Sequence, residues 1–264
     1  MMKKYLISLA KDQLRREQFF TQADTTDFQV FDAVNTMQQE WDSLAVKYDI
    51  AQFAQRYQRS VTKGEIGCAL SHLGVYQWIV ADPQIGDNDY CLVCEDDALF
   101  NQDVQSSLTQ LLSQNVRADI VLVGQSKIFG FDDAMLEIEY PTTFVPQMVA
   151  IGNSIYRYAY PYKNYYAGTV AYLIKKSTAR KLVSITDLPF WLADDFILFE
   201  QQFGLDIMVV RPLMAIENPA LCSNLETARA STQQALSKKL LKYPFKKWLA
   251  IQRNIGLKND QCGN

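Results

Sequence analysis

Tyr90-Cys91-Leu92-Val93-Cys94-Glu95-Asp96-Asp97-Ala98-Leu99-Phe100 is the stretch that decides how this chain is read. Its first five residues form an apolar run too short for a helix, and the run ends in three acids, the pattern of a buried strand. In an open α/β sheet such a strand delivers its carboxylates to the carboxyl edge, where these sheets bind ligands. Adjacent acids repel one another unless a cation neutralises them, and a hard divalent ion, Mg²⁺ or Mn²⁺, is the natural partner for oxygen ligands. The same acids would also suit the first turn of a helix beginning at Ala98-Leu99-Phe100, because negative charge is favoured at helix N-termini. The triplet by itself leaves both readings open.

Upstream, residues 5–9 (YLISL) read as a first buried strand, followed by a charged helix over residues 12–20 whose Leu14, Phe19 and Phe20 face a core. A second strand is expected at residues 28–31, ending in Asp32, so the chain opens as successive β-α units. Ser8, Arg15 and Arg16 follow the first strand, where such folds hold nucleotide groups; as residues of a helix surface the two arginines would simply be solvated. Residues 35–59 are polar with spaced apolar positions and read as one or two surface helices. In VTKGEIGCALSHLGVYQWIVAD, residues 61–82, Thr62 and Glu65 have capping-box spacing, and Ile66, Leu70, Leu73 and Ile79 continue at helical period. Gly67 and Gly74 each cost that helix about 1 kcal/mol against alanine, which implies close packing or close approach of a ligand. His72 is the single histidine of the chain and reads as a core imidazole making one hydrogen bond. A Ser-His-Asp hydrolase or a multi-histidine metal site would have to rest on it, and no HExxH, GxSxG or P-loop is present.

Downstream, residues 104–112 are helical and residues 119–124 (DIVLVG) form another central strand. Residues 125–160 lose periodicity and carry Phe129, Phe131, Tyr140, Phe144, Tyr156, Tyr158 and Tyr160, which suit either a functional loop stacking on sugar faces or a set of short strands. A strand over residues 166–174 and a helix over residues 176–183 lead to Leu188-Pro189-Phe190-Trp191-Leu192-Ala193-Asp194-Asp195-Phe196. A carboxylate in such apolar surroundings has a raised pKa and can serve as a general base, or Asp194 can cap the helix that follows. Residues 206–210 read as a last strand. The segment Leu240-Leu241-Lys242-Tyr243-Pro244-Phe245-Lys246-Lys247-Trp248 mixes lysines with apolar residues, which suits an anionic membrane surface or a helix docked on the body, and Pro244 argues against one uninterrupted helix.

With 264 residues, 48% of them apolar, the chain has enough material for one large α/β domain, here expected over residues 1–230, with a basic amphipathic tail over residues 231–264. That tail holds seven Lys and Arg against one Asp, while the net charge of the whole chain is −3, so there is no basic footprint for nucleic acid. Five cysteines without framework spacing suit a reducing cytoplasm, and Cys91 and Cys94, three apart on a strand, point to opposite faces as core residues. The opening residues are too short an apolar run for a secretory signal, and no run is long enough to span a bilayer. A protein that is soluble, or peripheral on the inner face of the cytoplasmic membrane, is expected.

KGEIGCALSHL, LVCEDDALF, GTVAYLIKKSTARKL and ADDF together resemble the bacterial family 25 glycosyltransferases of lipooligosaccharide biosynthesis, from Ser8, Leu9, Arg15 and Arg16 to about Phe196. The resemblance implies a GT-A-type fold with a mostly parallel central sheet and an inverting transfer from a UDP-sugar, with galactose as the family-level expectation, to a lipooligosaccharide core acceptor. It also implies a divalent metal, Mn²⁺ or Mg²⁺, at the acidic motif. Asp97 is then the first metal ligand, with Glu95 beside it, and Glu95 or Asp96 acting through water or the ribose. Ser8, Leu9 and Arg15 face the uridine diphosphate, His72 falls in the same donor-binding block, and Asp194 or Asp195 takes the acceptor proton. Many enzymes of this fold add a C-terminal histidine to the metal; this chain has none after His72, so Glu217, Asn218 or water must stand there. A metal-dependent phosphoryl or nucleotidyl transferase using the same acids lacks the Gly-rich phosphate loop it would need, and a non-catalytic nucleotide-sugar-binding protein of the same fold is the alternative of a different class.

Overall fold

Strand alternation sets the layers. In a computed structural model that describes residues 2–114, 116–128, 130–162, 168–221 and 236–258, Tyr5 and Ile7 point to one core and Leu6 to the other. Cys91 and Val93 join the first core, Leu92 and Cys94 the second, so the two cysteines do occupy opposite faces. Residue pairs of this kind leave a sheet buried on both sides, as helices above and below require. The strands are β1 (Lys4–Ser8), β2 (Gln29–Asp32), β3 (Tyr90–Glu95), β4 (Ala98–Phe100), β5 (Ile120–Leu122), β6 (Gly124–Gln125), β7 (Val149–Ala150), β8 (Arg157–Ala159), β9 (Ala171–Lys175), β10 (Ile207–Arg211) and β11 (Ala215–Glu217). The helices are α1 (Gln13–Phe20), α2 (Trp41–Ala45), α3 (Ile50–Tyr57), α4 (Lys63–Ala81), α5 (Val104–Leu112), α6 (Met135–Glu139), α7 (Lys176–Ser184), α8 (Phe196–Gln201) and α9 (Leu236–Arg253).

The main sheet has the order β2-β1-β3-β9-β5-β10-β8-β7. It is the expected α/β sheet of GT-A type. Parallel pairs join β1 to β2, β1 to β3 and β5 to β10, while β9 runs antiparallel between β3 and β5 and the edge pairs β10–β8 and β8–β7 are antiparallel too, which makes the sheet mixed. A smaller sheet, β4-β11-β6, stands beside it. Because β1 leads first to β2 on one side and later has β3 on the other, the chain reverses direction across the sheet at β1. The crevice outside the carboxyl ends of β1 and β3 is therefore a topological switch point, where open α/β sheets bind ligands.

Helix α4 forms the wall of that crevice. Thr62 Oγ1 accepts from the Glu65 N–H at 3.2 Å and Glu65 Oε2 accepts from the Thr62 N–H at 2.9 Å, completing the expected capping box. Arg59 adds a two-pronged pair to Glu65, at 2.9 and 2.7 Å, and with the cap it outweighs burial to hold the carboxyl down at about 2. Both glycines are closely packed, and Gly67 lines the cleft as well. A Cβ on Gly74 would stand 2.4 Å from the Phe31 ring, and one on Gly67 would stand 2.7 Å from the Val34 carbonyl oxygen.

Several local expectations need correcting. Residues 98–100 form β4, not a helix: they pair with β11, with Glu217 opposite Ala98, so Glu95 ends one strand, Asp96 and Asp97 form the turn to the next, and no helix follows for them to cap. Residues 125–160 resolve into short elements, α6, β7 and β8 among them, with Phe129 outside the described residues. The strand expected from Tyr166 is seen from Ala171, Tyr166 and Ala167 lying outside the described residues, as do Cys222, Asp260 and Cys262. Pro244 does not interrupt α9. The side chains around it tie the helix down: Lys239 pairs with Glu139 at 2.6 Å, Lys247 with Glu137 at 2.7 Å, and Ala250 is buried. Those contacts offset the hydrogen bond that proline cannot make. No helix among the described residues is long and apolar enough to cross a membrane.

Candidate active site

The carboxyl ends of β1 and β3, the loop after β2 and the first half of α4 enclose a cleft of about 280 Å³. Ser8, Leu9, Arg15, Cys68, His72, Glu95, Asp96 and Asp97 all line it, so every donor-site residue expected from the sequence is brought together there. The register explains how: Ile7 pairs with Glu95, which puts the end of the first strand beside the acidic turn.

The two arginines of α1 are not solvated. Arg15 Nη2 donates to Asp97 Oδ2 at 2.7 Å, and its Nε lies 3.0 Å from Asp96 Oδ1. Arg16 donates to the Ser8 hydroxyl at 3.0 Å, to the Ser8 carbonyl at 2.8 Å and to Asp32 at 2.5 Å, fixing the strand end. Ser8 in turn donates to Asp96 Oδ2 at 2.6 Å. The first turns of α1 lie over the strand ends, and this turns what reads as a helix surface into the floor of a site.

One arginine does not neutralise the acids. Asp97 is only 8% exposed, and its Oδ1 is buried with no hydrogen-bond partner among the described residues. Burial, then the Glu95 charge, push its carboxyl up to about 8 against the pull of Arg15, with Glu217 and Asp96 adding to the rise. Burial also raises Asp96. The Glu95 carboxyl goes the other way: burial pushes it up, but His72, Thr169 and Arg15 more than compensate and hold it low. The Asn218 N–H donates to the Asp97 carbonyl at 2.7 Å, which brings Glu217 and Asn218 next to the acids. An orphaned carboxylate oxygen whose ionisation is suppressed by burial and by neighbouring acids fits a hard divalent cation, and Asp97 is the residue it fits best.

His72 is 2% exposed, with Nδ1 2.7 Å from the Tyr172 hydroxyl, which lies 2.8 Å from that of Tyr76. The expected core imidazole is there, but its Nε2 also faces Glu95 Oε1 at 3.4 Å. Glu95 is further held by the Thr169 hydroxyl. Thr169 and Tyr172 were not legible as site residues. Cys68 was, in principle, since it stands one helical turn before His72 on the same face of α4.

The two acids of ADDF separate. Asp195 is the N-cap of α8: its Oδ1 accepts from the Leu198 N–H at 3.0 Å, and its Oδ2 accepts from Arg56 at 3.0 and 2.9 Å and from the Tyr57 hydroxyl at 2.6 Å. The cap is thus Asp195, not Asp194. Asp194 is half-buried and is not among the residues that line the cleft; burial, then the charges of Glu95 and Asp194, push the half-buried Cys68 thiol up.

A mixed α/β sheet with clustered acids at its switch point is a fold of the GT-A glycosyltransferase type. The sequence profile described as Glycosyltransferase family 25 (LPS biosynthesis protein) matches residues 1–198, and the chain belongs to that family. The probable inactive glycosyltransferase 25 family member 3 of Bos taurus is 28% identical over 150 residues, covering 54% of this chain and 22% of its own. Procollagen galactosyltransferase 1 of Danio rerio is 28% identical over 144 residues, covering 53% of this chain and 20% of its own. The chain therefore spans only about a fifth of the length of these relatives. Among solved structures, the inositol-1-phosphate CTP transferase from T. maritima overlaps 86% of this chain and 94% of its own at 16% identity, with a TM-score of 0.34, too loose to bear on function.

Proposed function

We propose that this chain is an inverting glycosyltransferase that moves galactose from UDP-galactose to a lipooligosaccharide core acceptor. The observation that carries this reading is the unpartnered Asp97 oxygen at the switch-point cleft, inside the residues that match the family. Asp97, with Glu95 or Asp96 in support and Glu217 or Asn218 adjacent, would hold Mn²⁺ or Mg²⁺, which supplies counter-charge for the leaving diphosphate. Ser8, Leu9 and Arg15 face the nucleotide, with His72 behind them beside Glu95. Asp194 accepts the proton of the acceptor hydroxyl as its oxygen attacks the anomeric carbon; the bond to the diphosphate breaks, UDP departs with the electron pair, and the anomeric centre inverts. Asp195, consumed by its cap and ion pair, orients α8 and does not serve as the base.

UDP released from a panel of UDP-sugars tests the reading, with EDTA as control. UDP-galactose is expected to give the fastest, metal-dependent release. The inactive relative favours a second reading, a nucleotide-sugar-binding protein without turnover, and UDP binding with no release from any donor would establish it instead.

The acceptor's lipid anchor gives α9 a role. Leu241, Phe245 and Trp248 are exposed, the last two with stacked rings, and Lys242 is exposed beside them, a combination suited to an anionic lipid surface on the cytoplasmic face. Phe245→Glu with Trp248→Glu should abolish co-sedimentation with vesicles containing phosphatidylglycerol; unchanged sedimentation would exclude this role.

A further inference from the structure

Cys68, His72 and Glu95 each offer one ligand atom, and these atoms lie within 4.8 Å of one another. Among the described residues no other group of three His, Cys, Asp or Glu side chains does so. The acids Asp96 and Asp97, by contrast, are turned toward Arg15. The geometry points to a second cation site in the cleft: Cys68 Sγ, His72 Nε2 and a Glu95 carboxylate oxygen form a three-ligand site for Zn²⁺.

Four features support it. Cys68 and His72 are four residues apart on α4 and so share one face, while Glu95 arrives from the end of β3, giving three convergent donors from two rigid elements. His72 Nε2 is buried, has no hydrogen-bond partner among the described residues, and is aimed at the Glu95 oxygen. The other ring nitrogen, Nδ1, is 2.7 Å from the Tyr172 hydroxyl, as ligating histidines require of an outer-shell partner; binding selects the tautomer with the proton on Nδ1 and the lone pair on Nε2. All three residues also line the cleft, which gives an ion a route to them from solvent.

The donor set decides the metal. A thiolate and an imidazole beside one carboxylate suit a borderline ion such as Zn²⁺ or Co²⁺ and not the hard ions that fit Asp97. Drawing ligand atoms from 4.8 Å to the spacing of a tetrahedral site asks for a contraction of about 1 Å, within reach of side-chain rotation. Binding forms metal–sulfur, metal–nitrogen and metal–oxygen bonds, and the Cys68 proton passes to solvent with no change of oxidation state. The inference does not depend on transferase activity and holds equally for a chain without turnover.

Titration of the purified, metal-free chain with Co²⁺ tests it. One equivalent is expected to bind with a thiolate-to-cobalt charge-transfer band, and Zn²⁺ should displace it stoichiometrically. Cys68→Ser should remove the band and weaken Zn²⁺ binding by more than about 100-fold, since even outer-shell partners are worth about 10- to 100-fold. Tyr172→Phe keeps all three ligands and should retain the band with affinity lowered by about 10-fold or more. Absence of the band in the unaltered chain, or Zn²⁺ binding undiminished in Cys68→Ser, would overturn the site, and the first of these needs no variant to fold.

Discussion

Asp97→Asn is expected to lower metal-dependent UDP release by about 10³-fold or more, the scale of removing a principal source of charge stabilisation at the leaving group. The same substitution should make the metal-free protein relatively more stable at alkaline pH. Folding raises the Asp97 carboxyl from 3.8 to about 8, so the folded chain keeps a proton that the unfolded chain gives up. The favourable contribution of that proton is complete below about pH 4 and is lost as pH rises through 8. Asparagine keeps the shape and cannot ionise. Urea unfolding in EDTA at pH 5 and pH 8 should therefore show the variant gaining about 2–4 kcal/mol on the unaltered chain between the two values, less than the whole shift would imply because the two pH values span only part of the range between 3.8 and about 8. Saturating Mn²⁺ at pH 8 should restore the unaltered chain and leave the variant unmoved. Parallel stability profiles at the two pH values would show that Asp97 is not the strained acid of the cleft.

The acids of ADDF should respond in opposite ways. Asp195→Ala removes a helix cap and the shared acceptor of Arg56 and Tyr57, leaving a half-buried guanidinium without its counter-charge. A loss of about 3–5 kcal/mol follows, a fall in melting temperature of roughly 6–15 °C for a chain of this size. Asp194→Asn keeps the shape of the side chain and should reduce turnover by about 10²- to 10⁴-fold, the usual worth of a general base, with a smaller fall in melting temperature than Asp195→Ala. Thermal unfolding and single-turnover transfer measured on both variants check the division. Full turnover in Asp194→Asn would move the base elsewhere.

Much of this site could be seen in the sequence because the signals are short-range. The apolar run before Glu95, the Thr62–Glu65 capping box and the helical period of α4 involve residues a few positions apart, where backbone geometry leaves few choices. The separation of Cys91 and Cys94 to two faces is of the same kind. The helix considered for residues 98–100 fails because acids before an apolar triplet suit a helix or a turn equally. Pairing with β11, more than 100 residues away, makes the choice.

The sequence by itself determined the α/β class, the delivery of Glu95, Asp96 and Asp97 to a strand end, and the helix that carries His72, because each follows from local periodicity and capping. Tertiary structure alone decided which charges meet. Arg15 reaches Asp97 across 82 positions, and Arg56 reaches Asp195 across 139. Coulomb forces and ligand geometry act through space, so the strand that ends in three acids became a site with a strained Asp97, a tethered Asp96 and a Glu95 turned toward Cys68 and His72 only when the chain had folded around it.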